Sequence, residues 1–285
     1  MIKTLPRWFR QDVIKSSVLS RLNEIKINTV CKEAHCPNFS ACFDANRLSV
    51  IILGDTCTRT CSFCAVNKSV SKALPLDMDE PLRVAREIKN LGLKYVVITS
   101  VTRDDLPDGG AGIFARTIEL VKQHCKGIII EALIPDFKGS VCSLAKVIES
   151  GPAVIGHNIE TIRRLYPEVR PQADYGVSLK LLVSIKAISG LMLTKSSVML
   201  GMGETRDELI AVMRDLRGVG CDILVLGQYL APSREHYPVK EYKSPLEFES
   251  LREIAISMGF RGCLSGPLVR SSYQAKEIYD QLICA

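Results

Sequence analysis

The feature that most constrains the fold is a regular alternation of short apolar runs with amphipathic stretches, beginning after residue 47. Runs such as Tyr95-Val-Val-Ile98 and Ile128-Ile-Ile130 have the continuous apolar character of parallel strands buried on both faces. The predicted strands are Leu48–Leu53, Lys94–Thr99, Gly127–Leu133, Ala153–Gly156, Met192–Leu200 and Asp222–Leu226. Helical periodicity lies between them, near Asp79–Leu91, Gly112–His124, Gly139–Ser150, Asp174–Ser189 and Glu204–Val219.

Six β-then-α units in this order predict an α/β fold, a partial (β/α)6 TIM-type barrel, with a full barrel or a doubly wound sheet as the alternatives. The chain has 285 residues and is 47% apolar, which suits one large domain. We predict a barrel core at residues 47–227, an N-terminal extension at 1–46 and a C-terminal extension at 228–285. The last extension contains helical patterns near Pro245–Met258 and Ser272–Cys284.

Charge and hydropathy exclude several function classes. The net charge of +6 is spread along the chain without a basic block, so the sequence does not predict a nucleic-acid reader. A positive chain attracts acidic protein partners modestly, although ordinary solubility explains the same charge. No apolar run is long enough to cross a membrane. The opening residues Met1–Trp8 contain no export signal, so we expect a cytoplasmic protein.

The eleven cysteines are concentrated near the N-terminus, with six of them between residues 31 and 64. An odd number of cysteines in a chain without an export signal argues against a disulfide framework and for thiols that bind metal. The other five occur singly, and we expect them to be small buried apolar side chains. They are Cys125, Cys142, Cys221, Cys263 and Cys284.

The stronger cysteine motif is the C-x3-C-x2-C triplet of Cys57, Cys61 and Cys64, which follows the first predicted strand. Three thiolates in eight residues suit a [4Fe–4S] cluster with one iron left open, whereas structural zinc requires four ligands. The loop after the first strand of a barrel lies at the face where barrel active sites occur. The triplet therefore predicts a cluster whose open iron binds a small molecule.

A second triplet, Cys31, Cys36 and Cys42, has the wider spacing C-x4-C-x5-C. Taken alone, these residues with His35 also fit a zinc or structural site, because clustered cysteine and histidine suit zinc. From the residues alone both alternatives stay open, and it is the family resemblance of the two triplets together that favours iron and sulfur here.

With the aromatic Phe63 before its last cysteine, the Cys57 triplet resembles the radical S-adenosylmethionine (SAM) superfamily. The two triplets together resemble the lipoyl synthase family, and the likeness extends over about residues 30–275. The motifs that carry it, as they stand in this chain, are Val30-Cys-Lys-Glu-Ala-His-Cys-Pro-Asn38, Gly54-Asp-Thr-Cys-Thr-Arg-Thr-Cys-Ser-Phe-Cys-Ala-Val66, Thr99-Ser-Val-Thr-Arg-Asp-Asp-Leu-Pro-Asp-Gly-Gly-Ala111, Gly156-His-Asn-Ile-Glu-Thr161, Thr194-Lys-Ser-Ser-Val-Met-Leu-Gly-Met-Gly-Glu204, Leu226-Gly-Gln-Tyr-Leu-Ala-Pro-Ser233 and Gly266-Pro-Leu-Val-Arg-Ser-Ser-Tyr273.

The resemblance implies two [4Fe–4S] clusters and SAM as cofactors. It implies insertion of two sulfur atoms at C6 and C8 of an octanoyl chain, carried on a lysine of the lipoyl domains of 2-oxoacid dehydrogenases or of the glycine-cleavage H protein. SAM would bind the cluster on the Cys57 triplet, and the cluster on the Cys31 triplet would donate the sulfur. A small electron donor such as ferredoxin or flavodoxin and a cluster-assembly carrier are the other implied partners, with no nucleic acid and no membrane.

The resemblance also makes Ser272 the fourth ligand of the donor cluster, so that the C-terminal extension would return to that cluster. A hydroxyl oxygen is a harder and poorer ligand for this iron than a thiolate, which suits a cluster that is dismantled in use. From the residues alone, Ser271 or Ser272 would instead cap the last helix. We predict Arg270 to be a positioning group beside the donor cluster.

Further candidate cofactor-binding residues follow the second and fourth predicted strands. Asp108, Gly109 and Gly110 permit close backbone approach to a ligand, or else form the turn that starts the next helix. Asn158 and Glu160 offer hydrogen bonds to a ribose or methionyl group. Beyond these, Arg103 and Lys195 fit either the donor site and substrate or a solvated surface.

The chain departs from the family pattern at Ala41, at Phe43 and the residues after it, and at Thr102 and Ser197, none of which is one of the six cysteines. The alternatives are another radical sulfur-inserting or methylthiolating enzyme, such as one similar to biotin synthase, and a non-catalytic electron-transfer or zinc-binding module.

Overall fold

The computed structural model describes residues 5–9, 27–33, 36, 38, 42, 47–69 and 75–284. Within them, seven parallel strands form one sheet in which neighbours along the chain are neighbours in space. The strands are β1 Ser49–Ile52, β2 Tyr95–Ser100, β3 Ile129–Leu133, β4 Val154–Gly156, β5 Leu193–Leu200, β6 Ile223–Gln228 and β7 Gly262–Gly266. The order is that of an open barrel whose edges are β1 and β7, which confirms the partial barrel.

All six predicted strands are confirmed, but β7 was not predicted. Its sequence, Gly262-Cys-Leu-Ser-Gly266, has glycine at both ends and little of the β-branched character that favours strands. Pairing decides its conformation, because Leu264 lies in register with Val225 of β6. The predicted boundary at residue 227 falls inside β6, and β7 extends the same sheet beyond it. The division into three segments stays a prediction.

A long helix follows each strand, and all seven predicted helical patterns are confirmed. The helices are α1 Glu80–Asn90, α2 Ala111–His124, α3 Val141–Glu149, α4 Tyr175–Ile188, α5 Arg206–Gly218, α6 Pro245–Ser257 and α7 Ala275–Ile283. Capping boxes begin α5 and α6, where Thr205 pairs with Glu208 and Ser244 with Glu247. None of the described helices combines the length and apolar character needed to cross a bilayer.

The two faces of the sheet have different neighbours. Side chains of one set, including Val96 and Ile98 of β2, belong to the main apolar core, which also contains side chains of the surrounding helices. The alternate side chains of the strands lie on the opposite face, because strand side chains alternate. There, Tyr95 and Val97 pack with Ala275 of α7. The C-terminal helix therefore lies against the inner face of the open barrel.

About one turn further along α7, Ile278 packs with Ile223 and Val225 of β6 on the same face. The helix thus spans the interior from β2 to β6. Since every strand of this sheet is parallel, the loops after the strands share one edge of the sheet. The Cys57 triplet and the candidate polar residues lie in or near these loops.

Two of the isolated cysteines are buried as expected, Cys221 and Cys263. The same expectation is wrong for Cys142 and Cys284, which are exposed, because they lie near helix ends. Cys125 is half-buried at the end of α2.

Candidate functional site

The Cys57 triplet begins on a two-residue strand, Thr56–Cys57, which pairs with Asn67–Lys68, and continues into a loop. The start of this segment is fastened to α1 and to the loop after β2. Backbone N–H groups of Leu53 and Gly54 donate to the Glu80 carboxylate at 2.6 and 3.1 Å. The Thr58 hydroxyl donates to the Thr102 carbonyl at 2.9 Å. Two backbone N–H groups, of Arg59 and Thr102, donate to the Cys57 sulfur at 3.4 Å each. These two donors fix the position of the Cys57 sulfur between the two loops.

Arg59 anchors the middle of the triplet, and the sequence reasoning missed it. Its guanidinium donates to Asp104 at 2.7 and 3.0 Å and to Asp136 at 2.6 Å twice. The side chains of Arg59 and Asp136 are 5% and 3% exposed. Burial alone would raise the pKa of Asp136, but the hydrogen bonds and charge of Arg59 lower it to about 2. The signal available in the sequence was a charged residue between two clustered cysteines.

The end of the triplet contacts the C-terminal half of the chain. The Ser62 hydroxyl donates to the Glu168 carbonyl at 3.0 Å, and the Tyr237 N–H donates to the Ser62 carbonyl at 2.9 Å. His236 places Nε2 3.1 Å from the Cys64 carbonyl and Nδ1 2.8 Å from the Ser233 hydroxyl. These partners assign the Nε2–H tautomer, which donates to Cys64.

A cavity of about 200 Å³ opens beside this loop. Its lining includes Cys64, Asn158 and Glu160, so the structure brings two predicted cofactor-binding residues to the cysteine loop. The Asn158 Nδ2 donates to Glu160 Oε1 at 3.0 Å, while Asn158 Oδ1 is buried without a hydrogen-bond partner among the described residues. An unpartnered buried oxygen beside a cavity suits a ligand that donates a hydrogen bond.

Glu160 has a left-handed backbone, with φ at 65°, and burial raises the pKa of its carboxyl. Its backbone is nevertheless held on β5, because its N–H donates to the Ser197 carbonyl and its carbonyl accepts from Met199. A non-glycine residue kept in this conformation beside a cavity is typical of a functional position.

Arg170 is a second residue that the sequence reasoning missed. It is 9% exposed, and its Nη1 donates to the Asn158 and Ile159 carbonyls and to the Tyr166 hydroxyl. Its Nε is buried without a partner among the described residues. Burial raises the pKa of the Cys61 thiol, and the charge of Arg170 acts against that increase. A buried cation therefore lies near both Cys61 and Glu160.

Asp108, Gly109 and Gly110 form the turn before α2. The Asp108 carboxylate accepts from the N–H groups of Gly110 and Gly112, each at 2.9 Å. Both Gly109 and Gly110 have left-handed backbones, and a Cβ on Gly110 would come within 2.3 Å of Leu53. Packing and turn geometry account for these glycines, and none of the three residues lines the cavity beside the Cys57 triplet or a larger one that contains the second cysteine triplet. Their cofactor-binding role stays a prediction that the contacts do not support.

A larger cavity, of about 450 Å³, contains the second set of predicted ligands. Cys31, Cys36, Cys42 and Ser272 all line it, although Ser272 lies 230 residues from Cys42 in the chain. The rest of the wall includes Tyr95 and Val97 of β2 and the first turn of α7. The structure thus brings the second triplet and the predicted serine to one cavity.

Contacts between the two ends of the chain lie along the wall of this cavity. The Asn38 amide donates to the Leu268 carbonyl at 2.5 Å, and Arg47 forms an ion pair with Glu277 of α7. The Cys42 N–H donates to the Asn38 carbonyl at 3.0 Å. His35, Ala41 and residues 43–46 lie outside the described residues.

The alternative that Ser271 or Ser272 caps the last helix is wrong. The N-cap of α7 is Gln274, with φ at 50° and no side-chain capping bond. Neither serine hydroxyl makes a hydrogen bond to any part of the chain that the structure describes, and the turn at 271–274 places both on the cavity wall.

Arg270 lines both cavities, together with Ser271. Burial lowers the pKa of Arg270, against the effect of the nearby Cys36 sulfur. Its Nη1 donates to the Val269 carbonyl at 2.7 Å. Gly227 permits the close approach of this segment, because a Cβ there would come within 2.2 Å of the Val269 carbonyl oxygen. Arg270 therefore places a cation at the junction of the two cavities, beside Cys36.

Arg103 and Lys195 are not solvated surface charges, since each is 1% exposed. Arg103 donates to the Asp105 carboxylate at 2.8 and 2.7 Å. Lys195 pairs with Glu131 at 2.6 Å on the inner face of the sheet, where the Tyr95 hydroxyl also donates to Glu131. These pairs account for both cations, and neither residue lines the two cavities.

The six clustered thiols suit metal binding. All are free, and burial raises the pKa of five of them, to about 12 for Cys31 and about 11 for Cys42 and Cys64. A buried thiolate needs a positive partner, which bound iron supplies. Among the described residues, no three His, Cys, Asp or Glu side chains close around a single metal ion. An iron–sulfur cluster instead takes each thiolate on a different iron.

Comparison with known proteins identifies the family. A model of the radical SAM superfamily matches residues 51–216, more than half of the chain. The chain is 50% identical over 287 residues to a lipoyl synthase of Alkaliphilus metalliredigens, covering 98% of this chain and 97% of that protein. It is 52% identical over 263 residues to a lipoyl synthase of Caldicellulosiruptor bescii, covering 92% and 90%.

A solved structure of methylornithine synthase superposes with a TM-score of 0.55 at 17% identity, over 84% of this chain and 82% of that one. At that identity the likeness shows the shared fold alone. With the matched sequence relatives and the two cysteine-lined cavities, the chain belongs to the lipoyl synthase family of the radical SAM superfamily.

Proposed function

We propose that this enzyme inserts two sulfur atoms, at C6 and C8, into an octanoyl chain carried on a lysine of a lipoyl carrier protein. It uses two [4Fe–4S] clusters and SAM. The SAM-binding cluster would be held by Cys57, Cys61 and Cys64, and the donor cluster by Cys31, Cys36, Cys42 and Ser272. When bound, the first cluster with SAM supplies hydrogen abstraction and the second supplies sulfur.

The observation that carries this assignment is the pair of adjacent cavities. Cys64 lines the smaller one and the second triplet lines the larger one, while Arg270 and Ser271 line both. Hydrogen abstraction and sulfur donation act on the same substrate chain, so the two cavities must adjoin. Arg270 and Ser271 form the wall that they share.

The polar residues of the smaller cavity have distinct roles in this proposal. Asn158 offers an unpartnered amide oxygen to a donor on SAM. Arg170 is not part of the cavity wall, and its buried charge acts on the nearby Glu160 carboxyl and Cys61 thiol. Glu160 accepts from the Asn158 amide and so fixes the orientation of that oxygen. In the larger cavity, Tyr95, Val97 and Ala275 supply apolar surface beside the proposed cluster ligands.

The carrier would be a lipoyl domain of a 2-oxoacid dehydrogenase or the glycine-cleavage H protein. A small electron donor, such as ferredoxin or flavodoxin, would reduce the SAM-binding cluster, and a cluster-assembly carrier would rebuild the donor cluster. The net charge of +6 supports acidic partners at low ionic strength.

The test uses anaerobically reconstituted protein with an octanoyl-lysine peptide, SAM and a reductant. We expect about eight iron and eight sulfide per chain, together with 5′-deoxyadenosine and a thiolated peptide. Absence of both products would contradict the proposal, and one or two zinc in place of iron would support a non-catalytic module.

A variant separates the role of Ser272 from simple folding. Ser272→Ala should still bind iron but make little lipoyl product, because the donor cluster loses its oxygen ligand. Ser257→Ala, on an exposed part of α6, is the control. Full product formation by Ser272→Ala would refute the ligand role.

A further inference from the structure

Arg59 occupies an unusual place for a charged residue, because it lies between two predicted iron ligands and is nevertheless buried. Its two carboxylate partners come from two different loops. Asp104 follows β2, and Asp136 follows β3. Four hydrogen bonds of 2.6–3.0 Å use the planar fork of the guanidinium on both sides. One side chain thus ties the cysteine loop to two neighbouring strands.

The turn that presents Asp136 is strained. Phe137 and Lys138 are consecutive non-glycine residues with left-handed backbones, at φ of 46° and 50°. The Asp136 carboxylate accepts from the Lys138 N–H at 2.9 Å while it also accepts from Arg59. Two adjacent residues keep this conformation when the surrounding structure imposes it, which is typical of functional sites.

Packing around Phe137 supplies that constraint. Its ring meets Phe114 of α2 edge to face, with centroids 6.3 Å apart. Gly109 leaves the space, since a Cβ there would come within 3.0 Å of the Phe137 ring. The glycine turn at Gly109 therefore accommodates the Phe137 ring. Phe137 is followed by Lys138, whose N–H orients the Asp136 carboxylate.

We propose that Arg59, with Asp104 and Asp136, is a positioning residue that holds the Cys57–Cys61 turn in the conformation that receives the SAM-binding cluster. The inference rests on the proposed function of that triplet. Stability alone is a weaker explanation, because a buried ion pair is often no more stabilising than well-packed apolar side chains. Its distinctive property is fixed bidentate geometry, which lysine lacks.

The test is carried out in the full chain with Cys31, Cys36 and Cys42 replaced by alanine, so that the iron reports the Cys57 triplet. Arg59→Lys and Asp136→Asn should release iron to a chelator about 10- to 100-fold faster than this parent, the effect typical of groups that orient metal ligands. Their reduced clusters should give altered electron paramagnetic resonance spectra, both without and with SAM.

The matched control is Arg164→Lys, because Arg164 forms a bidentate pair with Glu208 on the exposed surface at 2.7 and 3.0 Å. It should release iron at the parental rate with the parental spectrum. If Arg59→Lys and Asp136→Asn keep the parental rate and spectrum, the positioning role is wrong. An equally large increase in the rate of iron release in Arg164→Lys would also overturn the positioning role.

Two outcomes keep the inference separate from folding and from the proposed function. Should Arg59→Lys not fold, Asp104→Asn decides, since Asp104 is the more exposed partner; unchanged iron release there overturns the inference. A parent that loads no iron would contradict the proposed function itself. If the parent loads about four irons and the Arg59 and Asp136 variants release iron at the parental rate, only the role of Arg59 is contradicted.

Discussion

His157 precedes Asn158 in the chain, and both of its ring nitrogens have buried partners. Nδ1 lies 2.9 Å from the Ile134 carbonyl, and Nε2 lies 3.0 Å from the Ser178 hydroxyl. The carbonyl can only accept, so Nδ1 carries the proton and Nε2 accepts from Ser178. Burial first, and then the charge of Arg170, lower the pKa of His157 to about 4. The fold therefore holds this imidazole neutral, next in the chain to a residue that lines the smaller cavity.

This arrangement predicts a pH dependence of stability. The unfolded chain protonates His157 below about pH 6.5, whereas the folded chain does so only near pH 4. The contribution of neutral His157 to the free energy of unfolding is fully present above its pKa in the unfolded chain. It is lost as pH falls towards its pKa in the folded chain. The loss reaches roughly 3 kcal/mol at pH 4. Denaturant titrations should show a steeper decline between pH 7 and 4 for wild type than for His157→Gln. Parallel curves would contradict this assignment.

The residues that sequence reasoning found and missed differ in how far away their partners lie. The cysteines of each triplet are close neighbours in the chain, so their spacing alone predicts a cluster. Arg59 and Arg170 acquire meaning from groups elsewhere. Arg59 meets Asp136, which is 77 residues away, and Arg170 lies near Cys61, which is more than 100 residues away.

At the scale of elements, the turn from Asp136 to Gly139 supplies geometry at a cost in stability. A non-glycine residue in a left-handed conformation costs about 1–2 kcal/mol relative to glycine. Glycine offsets part of this advantage, because its backbone loses more conformational entropy on folding. We expect Lys138→Gly to be more stable than Lys138→Ala by about 1 kcal/mol. Both variants lose the Lys138 amine, which donates to the Asp104 carbonyl at 3.0 Å, so their difference isolates the backbone.

The measurement is the free energy of unfolding of both variants from denaturant titration. An alanine variant as stable as the glycine variant would show that this backbone conformation carries no strain. Iron content should remain near wild type in both, because neither substitution removes a partner of Arg59.

The elements also show where local pattern suffices. Strands β1–β6 and all seven long helices match the predicted periods, because each buries one face or both against the rest of the fold. Strand β7 lacks such a pattern and forms through its pairing with β6. Tertiary pairing overrides weak strand propensity there.

At the scale of the whole molecule, we expect the larger cavity, the proposed donor site, to depend on contact between the two ends of the chain. Asn38 is 5% exposed and reaches the Leu268 carbonyl, just before Arg270. Asn38→Asp replaces the donating amide by an oxygen that repels this carbonyl. We expect iron to fall from about eight to about four per chain, with the spectrum of the SAM-binding cluster retained.

Asn90→Asp, at the exposed end of α1, is the control and should keep the full iron content. If Asn38→Asp also kept it, the contact between the two ends would not be required for the donor cluster. Loss of both clusters would instead indicate a general failure of folding.

The sequence by itself determined the barrel units, the two triplets and the family, because residue period, cysteine spacing and motif order are local properties of a chain. Only the tertiary structure decided that α7 lies inside the open barrel, that Ser272 shares a cavity with Cys31, Cys36 and Cys42, and that Arg59 bridges two strand ends. These relations join groups tens to hundreds of residues apart. They follow from how the sheet curves and where the last helix packs, and no local pattern encodes either.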